Sequence, residues 1–296
     1  MSAKASMSRV NLGRTCLAFA AVAAALAPLG EAPAAGQAVP SDASQPANRV
    51  AGPNASRGVT FEPFAAFELG EEIAGLDGIT MRASILTIDS GGVIAVHDHL
   101  TRPAFSWILE GSPVETRSDR EQPIKHSEGS ISREFGMAHF WRNDGDTVAR
   151  ILVVDLITAE MEAGVAPVAA DRKPERTGFS GPEKALGATV LIQGEIELKA
   201  AFPHLPDASG RVLRARRIDL QPGAVSHLHR HENAPSFTYI AAGTVREHRN
   251  DQQQTIQFET GSIAIDRRGM AHWWEVIGDK QVTFLVAEIV SKDPEE

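Results

Sequence analysis

Short apolar segments separated by polar or glycine-rich turns run through most of the chain, and none is long enough to indicate an amphipathic helix. In the first half these segments are rich in Ile, Val, Thr and Phe and cover residues 81–89, 93–97, 105–109, 129–134, 140–141 and 149–158. Many short strands at close spacing are typical of an antiparallel sandwich or barrel. The pattern therefore predicts an all-β protein.

The second half of the sequence repeats the first. Met81-Arg82-Ala83 returns as Leu213-Arg214-Ala215, an offset of 132 residues, and the segment 136–141 returns as 269–274 after one inserted residue. A repeat of this length indicates two copies of a whole domain, since solenoid units are far shorter. We predict a first barrel over residues 59–160, a Pro- and Gly-containing connection over 161–185 and a second barrel over 186–296.

The first 58 residues do not share this pattern. Lys4, Arg9 and Arg14 precede an apolar run over residues 16–29, and a small-residue motif, Ala32-Pro33-Ala34, follows it. These features predict a secretory signal peptide over residues 1–34, followed by a flexible linker over 35–58. We expect an exported protein, periplasmic or secreted; the alternative is an uncleaved membrane anchor.

Composition narrows the class of partner. The 296-residue chain is 43% hydrophobic, enough for two cores, and has a formal net charge of −9, which makes nucleic acid a poor partner. Its single cysteine, Cys16, falls in the predicted signal, so the mature chain would have no disulfide. We expect a small-molecule substrate or ligand and no membrane contact after cleavage. The oligomeric state is left open, with a homo-oligomer as one alternative.

Histidines supply the clearest chemistry. His97 and His99 alternate on one predicted strand, so both side chains leave on one face, and His139 follows about 40 residues later. The second half repeats this triplet as His229, His231 and His272. Three imidazoles suit a divalent transition metal such as Fe, Mn, Zn, Ni, Cu or Co and leave positions open for other ligands. Packed or polar histidines without a metal are the alternative.

The spacing of glycines and histidines resembles the two motifs of the cupin superfamily. The matching residues are Gly91, His97, His99, Gly111, Gly136, His139 and Asn143 in the first half, and Gly223, His229, His231, Gly243, Gly269 and His272 in the second, where Val276 replaces Asn. The resemblance covers nearly all of the chain after the linker. It implies a germin-like bicupin: two tandem jelly-roll-like barrels, each a double-stranded β-helix.

Two departures from the cupin pattern bear on the metal. Cupins commonly supply a glutamate where this chain has Ala104 and Ser236, and a proline where it has Glu134 and Arg267. Without the glutamate, three neutral ligands would leave the metal its full 2+ charge, which favours an anionic or bidentate substrate. The resemblance is then to three-histidine cupins such as the gentisate, diketone and thiol dioxygenases.

Glu115 and Glu247 are candidates for the missing carboxylate. Each lies four residues after a motif glycine, and strand alternation counted from that glycine turns both side chains inward. We list them as catalytic candidates with three open roles: replacement ligand, partner of a ligand, or general base. A register shifted by one residue would place them on a solvated face instead.

Aromatic residues complete the candidate site. Trp141 and Trp274 come two residues after the third histidine of each half and should share its face, either as a substrate wall or as core. Phe105 and Phe237 are further substrate-lining candidates. His227, which has no counterpart in the first half, is either an extra ligand or a residue at the mouth of the second site.

These features together predict an exported, metal-binding bicupin. An oxygen-dependent, dioxygenase-like reaction on a small organic substrate is the favoured function. Two alternatives stay open: a non-catalytic cupin that binds or senses a small ligand, and a non-redox isomerase or lyase with Glu115 or Glu247 as its base. The fold permits all three.

Overall fold

Two nine-stranded antiparallel sheets, one from each half of the sequence, make up the folded chain. The computed structural model describes residues 50–161, 163–170 and 173–292. The predicted signal peptide, 1–34, and the greater part of the predicted linker lie outside these residues. Strand β1 begins at Arg57, within the last two residues of that linker.

The first sheet contains strands β1 to β9, which are β1 (Arg57–Glu68), β2 (Ile79–Val93), β3 (His97–Asp98), β4 (Ala104–Glu110), β5 (Val114–Arg117), β6 (Ile124–Lys125), β7 (Ile131–Glu134), β8 (Ala138–Arg142) and β9 (Ala149–Thr158). The second contains β10 (Leu186–Glu197), β11 (Arg211–Val225), β12 (His229–Arg230), β13 (Ser236–Ala242), β14 (Thr244–Arg249), β15 (Ile256–Glu259), β16 (Ile263–Asp266), β17 (Ala271–Val276) and β18 (Val282–Ser291). Helical structure in the described chain is limited to short turns at Leu69–Glu71, Leu198–Ala201 and Pro206–Ala208.

Both sheets have the same topology. The strand order is β6-β5-β8-β2-β9-β4-β7 in the first and β15-β14-β17-β11-β18-β13-β16 in the second, with β3 added to β8 and β12 added to β17. Each sheet curls into a barrel that brings the short histidine-bearing strand beside the strand of the third histidine. The prediction of an all-β chain with two tandem barrels is confirmed.

Strand β9 shows how the sequence pattern builds this arrangement. Ile151 and Val153 pack inside the first barrel, whereas Leu152, Val154 and Leu156 pack on the outside against a core shared with the second barrel. Successive side chains of a strand point to opposite faces, so a strand buried on both faces must be apolar throughout. The continuous apolar run 151–154 is the consequence.

The shared core joins the two barrels. Phe67 and Phe237 meet edge to face, with ring centroids 5.0 Å apart. At the edge of this core the Arg267 guanidinium donates to the Glu72 carboxylate over 2.7 Å and lies over the Phe67 ring. The shared core buries the outer face of each barrel, which leaves the inner faces to form the sites.

The glycines that end strands β4 and β13 are required by geometry. Gly111 and Gly243 have φ angles of 82° and 88°, which other residues rarely adopt. A Cβ at either position would also lie within 3.0 Å of a backbone carbonyl oxygen, of Val148 or of Gln281. This accounts for two of the motif glycines in physical terms.

Across the described residues, no helix has the length and apolar character needed to cross a membrane.

Candidate metal centres

The first barrel brings its three histidines together. His97 on β3 pairs directly with His139 on β8, and the Nε2 atoms of these two rings are 3.0 Å apart. His99, two residues along from His97, turns to the same side, so that one ring nitrogen from each of the three lies within 4.8 Å of the others. The strand pairing, and not the local sequence, closes the gap of about 40 residues.

The second barrel repeats the cluster. His229 on β12 pairs with His272 on β17. The Nε2 of His272 is 3.0 Å from the Nε2 of His229 and 3.0 Å from that of His231. The structure thus assembles all six predicted histidines into two triads.

Every Nδ1 atom of the two triads faces an oxygen acceptor. In the first barrel Nδ1 of His97 donates to the Ala95 carbonyl (3.0 Å) and Nδ1 of His99 to the Arg102 carbonyl (2.8 Å). In the second barrel the equivalent acceptors are the carbonyls of His227 (3.0 Å) and Ala234 (2.7 Å). A proton held on Nδ1 leaves Nε2 as a bare acceptor, the form that binds a metal.

Burial lowers the pKa of the first two histidines of each triad. Desolvation, reinforced by the nearby third histidine, lowers the pKa of His97 to about 4 and that of His229 to about 3. Burial also lowers the pKa of His99 and of His231. In the second barrel the carboxylates of Asp266 and Glu247 outweigh burial and raise the pKa of His272. Nitrogen acceptors that face one another repel unless a cation or a proton lies among them. The donor set therefore fits a divalent transition metal.

Glu115 and Glu247 face inward and hold the third histidine of each triad. Glu115 Oε1 accepts from Nδ1 of His139 over 2.7 Å, and Glu247 Oε1 from Nδ1 of His272 over 2.5 Å. Each carboxylate thus lies behind the imidazole, on the side away from the other two histidines. Of the three roles left open by the sequence, this placement supports the partner of a ligand. Glu115 also groups with Glu134 and His139, and Glu247 with Asp266 and His272, with ligand atoms within 4.8 Å of one another.

The surroundings of these two carboxylates differ. Glu115 also accepts hydrogen bonds from His126 (2.9 Å), from Ser132 and from Arg117, and these partners together with His139 outweigh burial and lower its pKa to about 2. Glu247 Oε2 is buried and has no hydrogen-bond partner among the described residues. The first barrel holds its glutamate more completely than the second.

The carboxylate missing from β4 and β13 has a counterpart on the neighbouring strand. Ala104 pairs with Glu134, and Ser236 pairs with Asp266. The sequence comparison had matched Glu134 with Arg267, and the strand register shows that this match was wrong. The inserted residue lies in the turn after β16, so Arg267 leaves the site and binds the first barrel at Glu72.

Each triad opens into a cavity with an aromatic wall. The first cavity has a volume of about 360 Å³ and the second about 240 Å³. Trp141 lines the first and Trp274 the second, and each also packs in the interior of its barrel. Each tryptophan is therefore both part of the cavity wall and part of the core.

An arginine lines each cavity, and the sequence did not single out either one. Arg102, which follows β3, donates to Nε2 of His99 over 3.1 Å and to Asp155 over 3.2 Å. Arg216, on β11, donates to Glu288 over 2.6 Å. They come from unrelated positions of the repeat, so comparing the halves could not reveal them. The position of Arg102, three residues after the His97-x-His99 pair, was the available sequence signal.

Two predicted lining residues lie elsewhere. Phe105 and Phe237 belong to the core shared between the barrels and line neither cavity. Ser106 and Thr238, one position further on, face the cavities, and strand alternation then turns Phe105 and Phe237 outward. Their prediction as substrate-lining residues was wrong.

His227 is exposed, lines the second cavity and lies outside the triad. Of the two alternatives for His227, this position matches a residue at the mouth of the site.

Comparison with known proteins agrees with this architecture. Residues 216–288 match the cupin domain family. An oxalate decarboxylase of Bacillus subtilis, studied for its Mn(II) centres, has a similar fold, with a TM-score of 0.51, 14% identity and coverage of 85% of this chain and 81% of that one. Another structure of the Bacillus subtilis enzyme, a single-residue variant, gives a TM-score of 0.50 at 14% identity and covers 90% of this chain and 87% of that one. A salicylate 1,2-dioxygenase from Pseudaminobacter salicylatoxidans gives a TM-score of 0.48 at 14% identity, with 70% of each chain covered. No curated protein matches by sequence.

Fold and site together define a duplicated β-barrel protein with a histidine triad inside each barrel. Its fold is that of two tandem cupin-like barrels, and its second barrel contains the matched cupin domain. The resemblance seen in the sequence motifs is confirmed.

Proposed function

We propose that this protein is a metal-dependent bicupin enzyme that acts on a small organic carboxylate. One observation carries the proposal: in both barrels three Nε2 acceptors converge while all three Nδ1 atoms are occupied by oxygen acceptors. Such an arrangement fixes both the tautomer and the direction of each ring, which is how proteins prepare histidines for a metal. The similar fold of an enzyme with Mn(II) centres supports the same interpretation.

The residues that would hold the metal are His97, His99 and His139 in the first barrel and His229, His231 and His272 in the second. A divalent metal in such a site supplies Lewis acidity and open positions for substrate or dioxygen. Glu115 and Glu247 keep the third histidine oriented and raise its basicity as a ligand.

The cavity walls favour a flat or short anionic substrate. Arg102 and Arg216 place a guanidinium beside each triad, and guanidinium groups bind carboxylates with two parallel hydrogen bonds. Trp141 and Trp274 offer an aromatic face next to the third histidine, with ring centroids 6.0 Å and 5.6 Å from it. Arginine would orient the carboxylate, and tryptophan would hold the organic part and exclude water.

Oxygen-dependent oxidation is the favoured reaction, because neutral histidine ligands leave positions open for substrate and dioxygen together. Non-oxidative cleavage that releases carbon dioxide is the second candidate. It is favoured by the fold shared with oxalate decarboxylase and by the arginine in each cavity.

Metal analysis followed by activity measurements tests the proposal. The chain from Ala35 onward, supplied with Fe, Mn or Zn, is expected to bind about two equivalents of metal. Oxygen uptake and carbon dioxide release would then be measured with hydroxy-aromatic acids, catechols, diketones and short dicarboxylates. A chain that takes up none of these metals would contradict the metalloenzyme proposal, and a metal-loaded chain with neither activity would favour a binding or sensing protein.

We also propose that the protein is exported. The basic residues, apolar run and Ala-Pro-Ala motif at the N-terminus support this. N-terminal sequencing of the native protein from a periplasmic or secreted fraction is expected to give a start near Ala35. An uncut chain in the membrane fraction would support the anchor instead.

A further inference from the structure

The carboxylates opposite Ala104 in the first barrel and Ser236 in the second have side chains of different length. Paired positions on adjacent strands put their side chains on the same face of the sheet. Glu134 therefore projects from β7 toward the place that a glutamate at position 104 would have occupied, and it lines the first cavity. Asp266 projects in the same way from β16 in the second barrel but is one methylene shorter.

Glu134 reaches the metal-binding face of the first triad. Its Oε2 is 3.4 Å from Nε2 of His99. The Nδ1 proton of His99 is committed to the Arg102 carbonyl, so Nε2 faces Glu134 as an acceptor, which also accepts from the Arg102 guanidinium over 3.1 Å. Glu134 is only 2% exposed, and its Oε1 has no hydrogen-bond partner in the described chain. A carboxylate and an imidazole nitrogen in a buried site stay at this distance when a cation or a proton lies between them.

The distances suit ligands of one ion. Donors about 2.1 Å from a metal are about 3.0 Å apart at right angles and about 3.4 Å apart in a tetrahedron. The 3.0 Å between Nε2 of His97 and His139, and the 3.4 Å between Glu134 and His99, match these values. Arg102 is the other cation near His99, but it donates to His99 and Asp155 and makes no hydrogen bond to Glu134. The guanidinium therefore lies in the same cavity as the Glu134 carboxylate without a hydrogen bond to it.

Asp266 lines the second cavity but is held there by two hydroxyl groups. Its Oδ2 accepts from the hydroxyls of Ser236 (2.6 Å) and Thr238 (3.1 Å). Its Oδ1 lies 3.6 Å from Nδ1 of His272, on the side of the ring that faces Glu247 and not the other histidines. Both carboxylates group with the third histidine and the glutamate behind it, but only Glu134 also has a recorded contact with an Nε2 atom, that of His99.

We propose that the two metal sites have different ligand sets: Glu134 is a fourth protein ligand in the first barrel, whereas the second barrel binds its metal through histidines alone. This inference rests on the proposed metal binding. A carboxylate ligand would reduce the charge of the first centre from 2+ to 1+, and the second centre would keep 2+. The second centre should then bind small anions more tightly.

Zinc titrations of single-site proteins test this. His229→Ala removes the second site and His97→Ala the first, so each background reports one site through competition with a chelator. In the His229→Ala background, Glu134→Gln and Glu134→Asp are both expected to weaken zinc binding by about tenfold or more, since the first loses the charge and the second the reach. In the His97→Ala background, Asp266→Glu is expected to tighten it.

The outcomes separate this inference from the proposed function. Zinc binding that is unchanged in Glu134→Gln would overturn the role of Glu134, as would full affinity in Glu134→Asp, which would indicate a charge effect without ligation. Absence of zinc binding in both single-site backgrounds would instead refute the metal sites themselves. Should a Glu134 variant unfold, the Co²⁺ absorption spectra of the two single-site proteins decide: different d–d bands are expected, and identical bands would overturn the inference.

Discussion

The two barrels share one framework of histidines but differ in the groups that surround it. In both, the third histidine is held by a glutamate on Nδ1, and the strand pairing that closes the triad is the same. The cavity arginine comes from the loop after β3 in one barrel and from β11 in the other. The facing carboxylate is Glu134 in one and the shorter Asp266 in the other.

The support behind the triad differs as well. His126 donates to Glu115 in the first barrel and packs at a tilt against Trp141, with ring centroids 4.8 Å apart. In the second barrel Phe258 takes the place of His126 and packs edge to face against Trp274, at 5.4 Å, and its side chain has no donor for Glu247. The comparison teaches that the repeat retains the geometry needed to hold a metal, while charge and hydrogen bonding around it have diverged. We therefore expect two sites of unequal metal affinity.

Removal of the third histidine gives the largest expected effect. His139→Ala and His272→Ala are each expected to lose about one equivalent of bound metal, because each removes a ligand and the hydrogen bond that orients it. Elemental analysis of the purified variants measures this, with circular dichroism as the check on folding. Retention of both equivalents in either folded variant would contradict the assignment of that triad.

Disruption of the shared core should affect stability and spare the sites. Phe237→Ala is expected to lower the free energy of unfolding by about 3–5 kcal/mol, since Phe237 is buried against Phe67 between the barrels. Denaturant titration gives the value, and metal content at low temperature serves as the control. A folded Phe237→Ala protein with an altered substrate preference would show that Phe237 does line the cavity.

The glutamates behind the triads compare the two barrels directly. Glu115→Gln and Glu247→Gln are each expected to weaken metal binding at their own site by about 10- to 100-fold, because the third histidine loses a charged partner. The stability loss should be greater for Glu115→Gln, since Glu115 has His126, Ser132 and Arg117 as further partners. Metal titration in the single-site backgrounds and thermal melting measure the two effects. Equal stability losses would show that the additional bonds of Glu115 contribute nothing.

Exchange of His126 and Phe258 should give the smallest effect. His126→Phe places the residue of the second barrel in the first and is expected to weaken metal binding there by about threefold or less, because Ser132 and Arg117 still hold Glu115. Phe258→His is the matched exchange and should slightly strengthen the second site. Chelator competition measures both. A loss of tenfold or more in His126→Phe would show that His126 is the main support of Glu115.

The sequence was sufficient for the fold and for both triads because these depend on local spacing and on the internal repeat. It also placed Glu115, Glu247 and the two tryptophans on inner faces by strand alternation. The same rule, applied to Phe105 and Phe237, would have turned them outward once Ser106 was recognised as a cavity residue. Alternation fixes only relative faces, and the strand's absolute orientation came from the structure.

Cross-strand relationships were beyond the sequence. Glu134 and Asp266 compensate for Ala104 and Ser236 across paired strands, and pairing register cannot be read from one chain. The inserted residue after β16 changed the offset of the repeat, so that the sequence comparison aligned Glu134 with Arg267 instead of Asp266. Arg102 and Arg216 were missed because each occurs in only one copy of the repeat.

Anomalous diffraction from crystals grown with Mn²⁺ tests the central claim most directly. Two peaks are expected, one among the Nε2 atoms of His97, His99 and His139 and one among those of His229, His231 and His272, at about 2.2 Å from each nitrogen. Glu134 should contact the first peak, and Asp266 should not contact the second. Manganese bound elsewhere, or triads without a peak in a protein shown to be loaded, would contradict the account.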